Sequence, residues 1–181
     1  MHAQREKDTI RVSLSHFEGH ILRQILSFIR KEYQKKTSEL DHQTANAWYN
    51  VSGTAHMSPE EQVDWLQQMH EMKGSRVSLL EKWTTALSLG PEGPPMELTL
   101  SLAETPDFVA VINDHRHLTA ARNELGQQEM DVENAEQFNA LPPPQQSALT
   151  EIQFLGIIIE YLLYLLTHDP TAEQPEGESK K

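Results

Sequence analysis

Apolar residues recur at steps of three and four along four stretches of the chain, the spacing that gathers them on one side of an α-helix. The last stretch is the most apolar. Ser147 to Thr167 reads SALTEIQFLGIIIEYLLYLLT, with Glu151 and Glu160 as its only charges. Ile152, Leu155, Ile159, Leu162 and Leu166 form one seam, Phe154, Ile158, Tyr161 and Leu165 line its flank, and only Gln153, Gly156, Glu160 and Thr167 make a narrow polar stripe. A helix apolar on most of its circumference is expected to be covered on several sides, so the remaining elements read as its cover. A membrane span is the rival reading, because the apolar length approaches the roughly 20 residues that cross a bilayer. Glu160 would then sit near mid-membrane at a cost of about 3 kcal/mol, and no basic cluster flanks either end, so a core helix or a dimer seam is preferred.

Earlier in the chain, residues 1–8 are polar and expected to be disordered, and Thr9 to Leu14 alternates as a short strand. Ser15 and Glu18 then make a capping box. The helix it opens carries Phe17, Ile21, Leu22, Ile25, Leu26, Phe28, Ile29 and Tyr33 in one apolar arc and should end near Gln34 or Lys36. Between Thr37 and Met57 the period is weak, and Trp48 is the expected anchor of a short helix. Ser58-Pro59-Glu60-Glu61 is a strong helix start, followed by a stripe of Val63, Leu66, Met69 and Met72. Gly74 and Ser75 either end that helix or kink it before Val77, Leu80, Trp83 and Leu87 continue the burial.

The prolines and glycines from Leu89 to Pro95 make a break, and Met96 to Leu102 alternates as a second strand that would pair with the first. Thr105-Pro106-Asp107 opens a helix whose buried face is Phe108, Val111, Ile112, His115, Leu118 and Leu125, with Gly126 closing it. A polar connection follows, with a short helix around Ala135 to Phe138. Pro142-Pro143-Pro144 is expected to be extended, since each proline disfavours the helical conformation of the residue before it. The expectation is a mainly α protein: a helical bundle around a C-terminal apolar helix, with a small two-stranded β element. One domain spans 9–167, and 168–181 is expected to be a disordered acidic tail.

Charge narrows the partners. The formal net charge is −12 and the pI about 5.1, so the phosphate backbone of a nucleic acid is repelled and no nucleic-acid partner is expected. The basic run Arg30, Lys31, Lys35 and Lys36 is explained by the helix end it occupies. Absence of cysteine removes disulfides, thiolate nucleophiles and thiolate metal sites. His16 and His20 have a helical metal-pair spacing but no third ligand, so neither metal nor cofactor is expected. No secretory signal is visible, which makes the cytoplasm the expected location.

The densest polar cluster within an apolar-periodic helix is Asn113-Asp114-His115-Arg116-His117, with Arg122 on the line of Asp114. Arg116 is placed to reach Glu160 or another carboxylate across a helix interface, and Glu160 is expected either to face water at its narrow stripe or to pair with a cation such as Arg116 or Arg122. His115 falls on the buried stripe, where a neighbouring carboxylate would tune it as an acid or base. Asn113, Asp114, His115, Arg116, Arg122 and Glu160 are therefore the candidate interaction or polar-network residues. No nucleophile or phosphate loop accompanies them, so no residue is assigned a catalytic role.

The opening IRVSLSHFEGHILRQILSFIRKEY, the strand ELTLS, Asn113-Asp114-x-Arg116 with Arg122 beyond, and the Leu155 to Leu166 helix together resemble the domain-of-unknown-function family DUF2017. The departure comes after Arg122, where Asn123-Glu124-Leu125 precede Gly126 and the family is tighter. The family has no established activity. Its members are often encoded beside the adaptor that feeds substrates to the Clp protease, so the resemblance implies a protein partner linked to proteolysis. Some relatives carry a transcriptional-regulator label, but this acidic chain shows no Arg- and Lys-rich recognition helix. The leading expectation is a non-enzymatic protein-interaction module, with homodimerisation open and no membrane partner. The alternatives are an enzyme or metal protein built on the His/Asp/Arg cluster, and a transcriptional regulator.

Overall fold

A computed structural model describes residues 1–87, 95–132 and 134–168. Strands β1 (His2–Glu6) and β2 (Thr9–Leu14) form a hairpin, and β3 (Met96–Ser101) pairs antiparallel on the other side of β2. Alternation decides which face is inside. Ile10, Val12 and Leu14 stand opposite Leu100, Leu98 and Met96, and all six are buried.

The sheet thus has three strands where two were expected, and residues 2–6 are ordered rather than loose. Interactions outside the hydrophobic pattern hold them. Beyond the ladder to β2, the Met1 amine donates to Glu18 at 3.1 Å, and Arg5 Nη1 donates to the Leu165 carbonyl at 3.2 Å. A polar edge strand buries little, so its apolar content could not announce it.

Helix α1 (His16–Tyr33) starts on the capping box anticipated from sequence: Glu18 N–H donates to Ser15 Oγ and Ser15 N–H to the Glu18 carboxylate. It buries Leu22, Ile25, Leu26, Ile29 and Tyr33 against α4 (Val77–Ala86) and α5 (Thr105–Arg122). Phe17 departs from its expected place in the apolar arc and is 74 % exposed. Helix α2 (His42–Tyr49) is N-capped by Asp41 and anchored by Trp48 as expected. Helix α3 (Pro59–Gly74) ends at Gly74, so α3 and α4 are separate helices.

Of the stripe expected on α3, Leu66 and Met69 pack partly buried against the core, and the other two positions are corrected. Val63 and Met72 are exposed, and the buried side chains are His70, which bonds Tyr49 and the Lys35 carbonyl, and Lys73, which bonds Asp114. Helix α5 buries Phe108, Val111, Ile112, His115 and Leu118 as its period requires. Gly126 does not close it. The helix stops at Arg122, Asn123 caps it, Glu124 takes the left-handed turn at φ 53°, and Gly126 instead precedes α6 (Gln127–Met130). Leu125 leaves the helix and joins Ala148, Leu149 and Ile152 in a small second core.

After α7 (Ala135–Ala140) comes α8 (Pro143–Thr167). Only Pro142 of the three prolines is extended, at ψ 145°, because prolines in a first helical turn lack only N–H groups that have no intrahelical acceptor. Helix α8 packs on α5 and on β1. Covering therefore comes from one side: Ile152, Leu155, Ile158, Ile159, Leu162 and Leu165 are buried, while Ile157, Tyr161, Leu163 and Tyr164 are 47 to 58 % exposed. The break expected over Leu89 to Pro95 and the tail expected over 168–181 lie outside the described residues except for Pro95 and for His168, which caps α8.

Candidate functional site

Helix α5 distributes the polar cluster. Successive residues on a helix diverge by about 100°, so Asp114, His115 and Arg116 face three different neighbours. Asp114 turns toward α1, α2 and α3. Its carboxylate accepts from Lys73 Nζ and from the Tyr33 hydroxyl, and its carbonyl accepts from Trp48 Nε1 at 2.7 Å. The rings of Tyr33, Trp48 and Tyr49 stand 5.6 to 5.9 Å from Lys73 Nζ, so the buried ammonium is enclosed by one carboxylate and three π-faces. Burial, then the Asp114 charge and hydrogen bond, push the Tyr33 phenol far above its ordinary range, so it remains a donor. Behind it, Tyr49 Oη and His70 Nδ1 lie 2.6 Å apart, and His70 Nε2 is 2.6 Å from the Lys35 carbonyl. A carbonyl only accepts, so His70 Nε2 carries the proton and Nδ1 accepts from Tyr49.

His115 turns toward α1 and α8. Its Nε2 donates to Glu151 Oε1 at 2.7 Å, and Thr119 Oγ1 donates to the same oxygen at 3.1 Å. Burial by itself would raise the Glu151 carboxyl. The hydrogen bond and charge of His115 and the hydroxyl of Thr119 outweigh it and hold the carboxyl below the usual glutamate range. The pair forms the floor of a hollow of about 750 Å³ between α1 and α8, walled by Phe17, Ile21, Phe28 and Phe154. Phe28 meets the His115 ring edge-on at 5.6 Å. A carboxylate beside an imidazole at the base of an apolar hollow can hold a proton or a cation in place.

The other candidates do not join this floor. Arg116 bonds Asn113 Oδ1 at 3.3 Å and lies beside Gly156, where an added Cβ would sit 3.6 Å from Nη2. Arg122 is tied to Asp41 at 2.9 Å and to Thr44 Oγ1 at 3.1 Å, and its guanidinium carbon lies 5.3 Å from the Phe28 ring centre. Glu160 is exposed, and among the described residues it pairs with neither Arg116 nor Arg122. His20 Nε2 pairs with the Gln24 amide at 3.0 Å, and no group of three or more His, Asp or Glu among the described residues is arranged to hold a metal. Three partners escaped the sequence reading: Lys73, Tyr33 and Glu151. Tyr33 and Glu151 carry a local signal, a phenol and a charge on buried helix lines, whereas Lys73 stands beside His70 on the buried face of α3 and carries none.

Fold and site define a mainly α domain with a small antiparallel sheet, an internal ion-pair cluster at Lys73 and an apolar hollow with a carboxylate–imidazole floor. No family model, curated protein or solved structure matches the chain.

Proposed function

We propose that the protein is a non-enzymatic interaction module that docks a partner protein on the outer face of α8. The observation that carries this reading is the exposed line of Ile157, Tyr161 and Tyr164, four and three residues apart, with Leu163 beside it. Contiguous exposed aromatic and aliphatic side chains lose free energy in water and mark a face that is covered in use. Charge selects the occupant. A second copy would bring another −12 and set its own Glu160 against this face, so a partner with a basic rim around an apolar centre is the better complement. Helix α8 is also long and apolar enough to cross a bilayer. Its bonds through Glu151 to His115 and through the Leu165 carbonyl to Arg5 favour the docked helix. A proteolysis-linked partner, the setting suggested by the resemblance to DUF2017, is the first to try.

The test compares wild type with the pair Ile157→Glu and Tyr161→Glu in co-purification, with Clp components added as purified candidates. Both sites are half exposed, so stability should change by less than about 1 kcal/mol. A partner retained by wild type and lost by the variant supports the reading. Identical recovery by both removes it. Dimerisation of wild type in light scattering, abolished in the variant, assigns the face to a second copy.

A further inference from the structure

The hollow between α1 and α8 is separate from the outer line of α8, since Ile157, Tyr161 and Tyr164 take no part in its walls. Its polar floor is incompletely satisfied. Both donors to Glu151 use the same oxygen, Oε1, and among the described residues Oε2 has no partner although the side chain keeps 34 % of its surface open. The His115 ring, nine-tenths buried, leaves Nδ1 without a hydrogen-bond partner. Among the described residues no basic side chain bonds Oε2: Arg122, which shares a smaller neighbouring hollow with Glu151, gives its Nη2 to Asp41 and Thr44. The other carboxylate at the hollow, Glu18, is occupied by Ser15 and the Met1 amine.

We propose that this hollow binds a small organic cation, an aromatic or aliphatic body carrying a primary ammonium, with the head on Glu151 Oε2 and the body between Phe17, Ile21, Phe28 and Phe154. The volume falls within the range of small-molecule sites, and the lining follows their rule of apolar walls around a few converging polar groups. Orientation follows from charge. His115 and Thr119 hold the carboxylate through Oε1 and stabilise its ionised form, so Glu151 brings a fixed carboxylate to the hollow it lines. An ammonium meets that charge, whereas a carboxylate head would face Glu151 and Glu18 together.

The experiment titrates the full chain with 4-phenylbutylamine, 4-phenyl-1-butanol and 4-phenylbutyrate at neutral pH, following backbone amides by nuclear magnetic resonance. The amine is expected to shift amides of residues 17–28 and 147–154 and to bind about tenfold more tightly than the alcohol, as one charge-assisted hydrogen bond implies. Glu151→Gln should remove that preference and leave the alcohol's affinity unchanged. Phe17→Ser, at an exposed position that folding does not need, should weaken amine and alcohol alike. Equal binding of amine and alcohol, tighter binding of the butyrate, or shifts confined to the outer line of α8 would each overturn the proposal. If Glu151→Gln does not fold, the head-group order in wild type and the response of Phe17→Ser still decide it.

Discussion

Replacing Asp114 by Asn tests whether the Lys73 cluster is held by charge. The Lys73 side chain is 9 % exposed and that of Asp114 16 %, so neither charge is solvated well enough to stand alone. Removing one member of a buried pair costs about 3 to 5 kcal/mol, because the other charge stays behind uncompensated. The three rings around Lys73 return part of that, at about 1 kcal/mol for an ammonium over an aromatic face, so the lower end is expected, about 3 kcal/mol. Converting Lys73 to Met in the same chain removes the stranded charge and leaves a thioether among aromatic rings, a favourable contact. The double variant should then lie within about 1 to 2 kcal/mol of wild type, a coupling of at least about 2 kcal/mol. Urea unfolding measures this with two probes. Tryptophan fluorescence reports the cluster in a Trp65→Phe background, where Trp48, whose indole donates to the Asp114 carbonyl, is seen beside the buried Trp83 alone. Far-ultraviolet circular dichroism reports the helices. Additive losses, with the double variant as unstable as the two single ones summed, would refute the electrostatic account.

Further outcomes follow from the same contacts. Gly19→Ala should destabilise by about 1 to 3 kcal/mol in thermal melts, since its Cβ would come within 2.3 Å of Met96 Sδ and 3.0 Å of Met96 Cβ, on a strand that cannot retreat from its partners. Gly156→Ala, with 3.6 Å to Arg116 Nη2, should be neutral or stabilise by up to about 1 kcal/mol. Asp41 is held at about 2, below its ordinary 3.8, first by the Thr44 amide and, despite some burial, by the Thr44 hydroxyl and Arg122. A depressed carboxyl contributes its stability above 3.8 and loses it as pH falls toward 2, so acid titration of Asp41→Asn should show a shallower decline in that window. Half exposure of the side chain limits the difference to about 1 kcal/mol.

Much of the fold was legible because the helices keep strict periods. Leu22, Ile25, Leu26 and Ile29 on α1, and Phe108, Val111, Ile112 and Leu118 on α5, are buried as their spacing requires. The capping boxes at Ser15 and Ser58 mark true starts. What stayed hidden was held by polar contacts rather than apolar area: β1 by its ladder and by Arg5, and the buried face of α3 by Lys73 and His70. Hydrophobicity alone points Val63 and Met72 inward and Lys73 outward, the reverse of where they lie. The ammonium is buried because two other helices and the Trp48 segment deliver a carboxylate and three rings to it, a convergence that no local window contains.

The two acids of α8 show how far a pattern can be pressed. Glu160 drew attention as the charge in the middle of an apolar run, yet its neighbours three and four away, Gly156, Ile157, Leu163 and Tyr164, include no buried residue, so it faces water with them. Glu151 lies instead on the line Leu155, Ile158, Leu162 and Leu165, all buried. A carboxylate on a buried line must find donors or lose its charge, and His115, on the buried line of the helix packed against α8, is such a donor. Which acid joins the interior was therefore decided by the helix line it occupies. The same geometry leaves α8 with two faces: one end hands a fixed carboxylate to the hollow beside α1, and the other presents Ile157, Tyr161 and Tyr164 outward, so substitutions on one face should leave binding at the other unchanged.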